Sequence, residues 1–334
     1  MKFVLLRHRL AAPYLGVTPK REPYQRKLWR VIGIYAAADI GSNTTHLLVG
    51  ETDGHRVTRV ENRSEWISLG EIVTREGRVP EAVIRQLVAT MREFARIARE
   101  QKARRLYVFA TEAMRAAQNH DEVVRTILEA TGVQVEVIPP SVEVALSYHG
   151  VKMDYRFSRH GDLFFELGGG SLQAAFCKED RVESCHSWPL GTGRMRAKYG
   201  LISPCLPSAV ELATDRIVES LEEYEAFWPS ETACGSGGVI RGIWRALHPD
   251  LEKRIYREEL DYLIWAATHL SQEDLVRRFG VKPKRAGTLL AGAVVFRAVM
   301  ARFGFFEIFV SEYGIRDGAI LAMGREDAAL PEGS

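Results

Sequence analysis

One short pattern occurs twice in the chain, first as AADIGSNTTHLLVGETDG and again as FFELGGGSLQAAFCKED. Each copy reads as a strand, a carboxylate, a turn of small residues, a second strand and a polar hairpin turn. Asp39 corresponds to Glu166 and Gly41 to Gly168, so equivalent residues lie 127 positions apart. Such turns expose backbone N–H groups that can wrap an anion, and a carboxylate at the strand end can hold the accompanying cation. Two facing copies predict a cleft that binds phosphate.

The composition is that of a globular protein with room for two domains. The chain has 334 residues, of which 46% are hydrophobic, and this is enough to bury a sizeable core. No stretch approaches the ~18 uncharged apolar residues of a membrane span. Charges at Arg7 and Arg9 interrupt the apolar start that a secretory signal needs. These observations favour a cytoplasmic protein with no membrane partner.

Cysteine spacing gives no sign of a metal site or of a disulfide framework. None of the cysteines forms a CxxC pair, and nothing requires an oxidising compartment. We therefore expect reduced thiols at all of them, which are Cys177, Cys185, Cys205 and Cys234.

Residues 1–34 differ from the rest of the chain in charge. They carry eight lysines and arginines against one glutamate. A basic segment can bind a polyanion such as nucleic acid by releasing counterions, but a run of charge is usually only solvated. We interpret residues 1–34 as a poorly ordered basic extension and assign it neither a function nor a nucleic-acid partner.

From residue 36 onward strand and helix patterns alternate, which predicts an α/β architecture in both halves. Pro139 and Pro140 force a turn, after which Ser141 is the expected cap of a short helix. A final apolar helix from Asp317 to about Gly324 is expected to dock onto the first half. The predicted domains are residues 35–151 with 317–334, and residues 152–316. The predicted strands are 36–40, 46–51, 56–60, 106–110, 133–138, 162–167, 172–177, 181–188 and 308–310, and the longer predicted helices are 80–101, 119–132 and 208–228.

Eight blocks of the chain, in this order, resemble the exopolyphosphatase and guanosine pentaphosphate phosphatase (Ppx/GppA) family of the actin-like ATPase superfamily. The resemblance covers about Ala36 to Arg325. It implies two actin-like, ribonuclease H-like α/β domains with an interdomain cleft, in the short two-domain form. The blocks are DIGSNTTHLLV, ATEAMRAAQN, VIPPSVEVALSYHGV, ELGGGSLQ, PLGTGRM, CGSGG, KRAGTLLAGAVVF and SEYGIRDG.

The resemblance implies phosphate-binding roles for three blocks. Arg115 resembles the family's phosphate-binding arginine, whose planar fork suits two phosphate oxygens; the alternative is a surface pair with Glu112. The CGSGG block is a weak nucleotide-binding signal, and a plain connection from strand to helix is equally compatible with it. The residues implied for phosphate are Gly41, Ser42, Asn43, Gly168, Gly169, Gly170 and Ser171, and those weakly implied for nucleotide are Gly235, Gly237 and Gly238.

Glu143 corresponds by motif position to the family's catalytic base, which activates the attacking water. Its position near a helix start favours the ionised carboxylate, so we expect an anion at neutral pH. The alternative is a first-turn glutamate that only complements the helix dipole. A basic run further on, Arg277, Arg278, Lys282, Lys284 and Arg285, is interpreted as a solvated loop rather than a path for a polyanion.

Three acidic positions depart from the family pattern. Glu166 stands where relatives carry aspartate, and this lengthens an implied magnesium ligand by one methylene. Gln173 stands in place of a glutamate, and an amide can orient a water but cannot take its proton. Glu312 in SEYGIRDG also replaces an aspartate and is expected near the same cleft. Reduced activity is one expected consequence of these changes.

These observations predict a hydrolase that releases terminal orthophosphate from inorganic polyphosphate. Asp39 and Glu166 would hold Mg²⁺, with Mn²⁺ as an alternative, while Glu143, Gln173 and Arg115 would form the catalytic set. Guanosine pentaphosphate (pppGpp) is the alternative substrate. A binding or regulatory protein with little turnover and a superfamily kinase or ATPase also stay open, as does a homodimer.

Overall fold

The computed structural model describes residues 33–154, 162–178, 181–222 and 233–329. The predicted basic extension lies outside the described residues except for Gly33 and Ile34, which belong to the first strand. The part of the predicted helix 208–228 that follows Glu222 lies outside them as well.

A sheet of five strands forms the first half of the chain, in the order β3-β2-β1-β4-β5. The β1–β2 and β2–β3 pairs are antiparallel hairpins, whereas β4 runs parallel to β1 and β5 parallel to β4. β4 lies between β1 and β5 and is fully buried, which fits its apolar sequence LYVFA. The strands are β1 (Gly33–Ile40), β2 (Thr44–Thr52), β3 (Val57–Trp66), β4 (Leu106–Ala110) and β5 (Val135–Val137).

The second half contains a sheet of six strands in the order β10-β11-β9-β6-β7-β8. Its β6–β7–β8 meander and the parallel β6–β9 pair repeat the β1–β2–β3 meander and the β1–β4 pair of the first sheet. The sequence repeat is therefore a repeat of strand order. The strands are β6 (Asp162–Leu167), β7 (Leu172–Lys178), β8 (Arg181–Trp188), β9 (Ala233–Ser236), β10 (Arg254–Tyr256) and β11 (Glu307–Val310).

Helices cover both sheets and complete a mixed α/β architecture. The first core cluster lies between the first sheet and helices α2 and α4, and the second lies around α11. The helices are α1 (Leu69–Glu76), α2 (Glu81–Glu100), α3 (Glu112–Ala116), α4 (His120–Thr131), α5 (Pro140–Val151), α6 (Thr192–Tyr199), α7 (Pro207–Glu222), α8 (Gly238–Leu247), α9 (Arg257–His269), α10 (Gln272–Phe279), α11 (Pro283–Phe303) and α12 (Ile315–Ala329).

Helix α11 is long and apolar enough to cross a membrane by length and composition alone, although the sequence predicts no such span. It is the one such helix among the described residues, and 72% of its apolar window is buried inside the protein. It packs against α6, α7, α8 and α9. A helix that is apolar all round and enclosed in this way is typical of the core of a large protein.

Helices α5 and α12 cross at very close range and connect the two halves. A Cβ atom at Gly318 would lie 1.8 Å from the backbone oxygen of Leu146, and one at Gly150 would lie 2.1 Å from that of Gly314. α12 also packs on β1 and β2, while α5 contacts β7 and β8 of the second sheet. The expected docking of the final helix onto the first half is present, in a longer helix than Asp317–Gly324. The domain boundaries themselves stay a prediction.

The predicted cap of helix α5 differs from the structure. Helix α5 begins at Pro140 with Pro139 as its N-cap, so Ser141 lies inside the first turn and does not cap it. Proline is well suited to a first helical position because it lacks the N–H that would be unpaired there. Asn119 occupies the N-cap position of α4, but its side chain instead bonds both backbone groups of Val79. Helices α1, α3 and α6 were not expected from the sequence.

Candidate active site

The two glycine turns face each other across a cleft with a cavity volume of about 120 Å³. The same backbone hydrogen bond closes both turns. The N–H of Gly41 donates to the backbone oxygen of Thr44 at 3.2 Å, and the N–H of Gly168 donates to the backbone oxygen of Ser171 at 2.9 Å. The predicted residues that line the cleft are Asp39, Gly41, Ser42, Asn43, Glu143, Glu166, Gly168, Gly169, Gly170, Ser171, Gln173, Gly237 and Gly238.

Close packing of small residues brings the two turns into contact. A Cβ atom at Gly169 would lie 2.5 Å from Oδ1 of Asn43. The Asn43 amide donates to the hydroxyl of Thr192 at 3.3 Å, and Thr192 N–H donates to the oxygen of Gly168. A residue larger than glycine at position 169 would displace the Asn43 side chain, so space rather than backbone angle favours glycine there.

Glu143 lies in the first turn of α5 with its side chain only 13% exposed. Arg115 donates to its Oε2 at 3.0 Å and to the backbone oxygen of Ile138 at 2.7 Å. Burial raises the pKa of Glu143 to about 7; the charge on Glu166 adds to this rise, and Arg115 opposes it. A pKa near 7 leaves about half of the groups ionised at neutral pH, so desolvation offsets much of the preference for the anion that the helix N-terminus predicts.

Arg115 does not line the cavity and acts on the site through Glu143. The alternative pairing of Arg115 with Glu112 is wrong, since Glu112 instead pairs with Arg194 at 2.5 Å. Gly235 does not line the cavity either. It is buried in β9, where a Cβ would lie 2.2 Å from Ile240.

Asp39 and Glu166 are the penultimate residues of the equivalent strands β1 and β6, and both line the cleft. Asp39 accepts from the N–H of His46 at 3.2 Å and from the Arg316 guanidinium at 3.3 Å. Burial raises the pKa of both carboxyl groups, and Asp39 further raises that of Glu166. The Oε2 atom of Glu166 is buried without a hydrogen-bond partner. An unsatisfied buried carboxylate oxygen beside a second carboxylate fits a divalent cation bound by oxygen ligands.

Gln173 lies opposite Glu166 in the β6–β7 pairing, just as His46 lies opposite Asp39 in β1–β2. The side chain is 1% exposed, and neither amide atom has a hydrogen-bond partner in the described structure. It lies close enough to Glu143 to lower the pKa of that carboxyl group. A buried polar group without partners at a cleft indicates a place for water, an ion or a substrate.

Cationic side chains from three distant elements surround the carboxylates, and the sequence prediction assigned a role to none of them. Arg241 on α8 and Arg316 on α12 lie near Asp39 and Glu166, and burial together with Arg316 lowers the pKa of Arg241 to about 10. Arg285 on α11 lines the cleft. The basic run is therefore not a loop: it spans the end of α10 and the start of α11, and Arg285 reaches the site.

Glu312 does not line the cleft, contrary to the expectation from the sequence. Its side chain is 40% exposed and pairs with Lys253 at 2.5 Å, and Lys253 lowers its pKa. Its backbone oxygen accepts from Arg59 and Arg241. The replacement of aspartate by Glu312 therefore concerns a partly exposed ion pair and not the lining of the cleft. No disulfide joins the four cysteines.

Taken together, two repeated α/β halves and a cleft between paired glycine turns define an actin-like architecture. The chain belongs to the Ppx/GppA phosphatase family, whose model matches residues 48–326. It is 28% identical over 298 residues to exopolyphosphatase 1 of Mycobacterium tuberculosis, covering 85% of this chain and 86% of that protein. The family resemblance and the fold class predicted from the sequence are confirmed.

Two further comparisons bear on fold and substrate. A crystal structure of the Aquifex aeolicus Ppx/GppA family member is 25% identical with a TM-score of 0.75, covering 89% of this chain and 99% of that one. The guanosine-5'-triphosphate,3'-diphosphate pyrophosphatase of Aeromonas hydrophila is 21% identical, over 87% of this chain and 59% of that protein. The family therefore contains phosphohydrolases named for two different substrates.

Proposed function

We propose that this protein releases terminal orthophosphate from inorganic polyphosphate. The observation that carries the proposal is the position of Glu143, whose carboxyl group lines the cavity enclosed by both glycine turns. A base with a pKa near the working pH is the most effective proton acceptor for an attacking water. The likeness to a mycobacterial exopolyphosphatase supports polyphosphate as the substrate.

In the proposed mechanism the turns bind the terminal phosphate and Glu143 accepts a proton from the attacking water. Ser42 and Ser171 are both buried within the turns; Ser171 offers its hydroxyl to a phosphate oxygen, whereas the hydroxyl of Ser42 donates to Glu112. Charge-assisted hydrogen bonds of this kind contribute roughly 1.5 to 3 kcal/mol each. Arg115 fixes the orientation of the Glu143 carboxylate and keeps its pKa from rising further.

A divalent cation, Mg²⁺ or alternatively Mn²⁺, would be held by Asp39 and Glu166. When bound, such an ion neutralises the charge that develops on phosphate oxygens. Arg316 competes for Asp39, since its guanidinium already donates to Oδ2. The Oε2 atom of Glu166 is available to bind the ion because it has no hydrogen-bond partner.

Guanosine pentaphosphate is a second candidate substrate, favoured by one feature of the cleft. Gly237 and Gly238 line it next to Arg285. The Gly237 backbone has a φ of +94°, and a Cβ at Gly238 would lie 2.8 Å from the Arg285 guanidinium. A nucleoside and a longer phosphate chain would compete for this open edge.

The proposal is tested by measuring phosphate release from tripolyphosphate, longer polyphosphate and guanosine pentaphosphate, each with Mg²⁺ or Mn²⁺. We expect release from polyphosphate that needs the cation and is inhibited only weakly by guanosine pentaphosphate. Strong inhibition by the nucleotide together with its faster hydrolysis would reverse the order of the two substrates. Tight binding of all three without release would identify a binding protein instead.

Phosphate release is expected to rise with pH and to level off above about pH 8, because the base must be ionised. Burial sets the pKa of Glu143 near 7, and a bound cation lowers it, so the midpoint at saturating Mg²⁺ should lie at or below about 7. Arg115→Gln removes the charge that lowers this pKa and should move the midpoint upward. A decrease in kcat/KM as the pH is raised from about 5.5 to 7 would contradict this assignment.

A further inference from the structure

Glu112 closes one end of the cleft by lying between the two glycine turns. A Cβ atom at Gly170 would lie only 1.6 Å from its Oε2. The hydroxyl of Ser42 donates to Oε2 at 3.2 Å, and the guanidinium of Arg194 donates to Oε1 at 2.5 Å. Arg194 also donates to the backbone oxygen of Gly170 at 3.4 Å. An internal carboxylate thus occupies a position surrounded by the donors that bind phosphate.

Beyond Glu112 the structure continues into two further cavities. The first, which we call the side cavity, has a volume of about 210 Å³ and shares Glu112 with the cleft. The second, the outer cavity, has a volume of about 510 Å³ and shares Thr74 and Arg194 with the side cavity. Glu112 therefore lines both the cleft and the side cavity, and Arg194 lines both the side cavity and the outer cavity.

The charge of the outer cavity suits an anion. Its lining contains three cationic side chains, Arg75, Arg194 and Lys198, against one carboxylate, Glu71. Arg194 is 29% exposed and Glu112 17% exposed, so their ion pair is largely shielded from solvent. A phosphate that displaced Glu112 would keep the Ser42 and Arg194 contacts and would meet more positive charge further out.

We propose that Ser42 and Arg194 form a second phosphate subsite at this end of the cleft, which Glu112 occupies when no ligand is bound. This inference rests on the proposed function for its class of ligand. A phosphate group can reach the subsite from two sources: the orthophosphate released by hydrolysis, or a unit of the polyphosphate chain away from the reacting end. The subsite binds the same tetrahedral anion in either case.

The subsite is tested by binding of radiolabelled orthophosphate, measured by equilibrium dialysis. Arg194→Gln should weaken binding about 10- to 100-fold, the effect of losing a charge-assisted contact. Glu112→Gln removes the competing anion and should tighten binding about tenfold. Arg297→Gln, which breaks an ion pair with Asp261 on the surface of α11, is the matched control and should change nothing.

Opposite effects of the two variants distinguish a subsite from a merely structural ion pair. If the pair only holds the turns together, breaking it from either side disturbs the cleft alike and both variants weaken binding. Effects of the same sign, or none beyond the Arg297→Gln control, would overturn the proposal. Should Arg194→Gln fail to fold, tighter binding to Glu112→Gln supports the proposal, and unchanged or weaker binding overturns it.

A second arm identifies the source of the phosphate. Tripolyphosphate binding is measured in the Glu143→Gln background, which keeps the ligand intact. If Arg194→Gln weakens orthophosphate binding alone, the subsite takes the product; if it weakens tripolyphosphate binding as well, the subsite takes a unit of the chain. Orthophosphate binding requires no turnover. Absence of hydrolysis would therefore overturn the proposed function but would leave the evidence for the subsite unchanged.

Discussion

Glu143→Gln is expected to reduce phosphate release at least 100-fold at pH 8, with substrate binding largely kept. The amide has nearly the shape of the carboxyl group and still offers Arg115 an oxygen, but it cannot take a proton from water. Loss of a positioned base typically costs about 100- to 10,000-fold in rate. The assay is single-turnover phosphate release at saturating polyphosphate, which separates the chemical step from binding.

Glu81→Gln is the control for the alternative that Glu143 only complements a helix dipole. Glu81 lies in the first turn of α2, is exposed and also pairs with an arginine, Arg85. Both substitutions remove a first-turn charge, worth typically about 0.3 to 1 kcal/mol in stability. Equal, small effects of the two on phosphate release would remove Glu143 from the mechanism. Unfolding measured at pH 8 must show that Glu143→Gln is folded.

The paired turns could be predicted from sequence because each is specified locally. A strand, a carboxylate, a few small residues and a second strand fix a hairpin whose register is set by its own turn. Asp39 and Glu166, which correspond in the sequence repeat, therefore occupy equivalent positions in their hairpins. Asp39 pairs with His46 across β1–β2, and Glu166 pairs with Gln173 across β6–β7. Their convergence on one cleft also follows, since both turns lie at the same ends of pseudo-equivalent strands.

The cationic surroundings of the site could not be predicted, because they come from elements far apart in the chain. Arg241, Arg285 and Arg316 lie on α8, α11 and α12, and none stands within a glycine turn. The raised pKa of Glu143 could not be predicted for the same reason. Its place at a helix start is visible in the sequence, whereas its burial depends on how both halves close over it. The Glu112–Arg194 pair likewise joins residues 82 positions apart.

Gln173→Glu is expected to make the stability of the protein depend on divalent cation. Position 173 is 1% exposed and lies beside Glu143 and opposite Glu166. Without a cation, a fourth carboxylate beside Asp39, Glu143 and Glu166 is uncompensated, and such a charge costs about 3 to 5 kcal/mol. We expect the Tm to fall by several degrees in chelator and to recover when Mg²⁺ is added, since binding to the folded state alone stabilises it.

The same variant is expected to raise phosphate release at saturating Mg²⁺ by about 100-fold, the lower end of the range for a regained proton acceptor. Gln86→Glu, on the exposed face of α2, adds the same charge away from the cleft and should alter neither the Mg²⁺ dependence of Tm nor the rate. The two readouts separate two roles for position 173. A cation-dependent Tm without a faster rate assigns it to holding the ion, whereas a faster rate without the Tm effect assigns it to proton transfer. If neither changes more than in Gln86→Glu, the buried amide has no part in the chemistry, and the low activity expected from its presence has no physical basis.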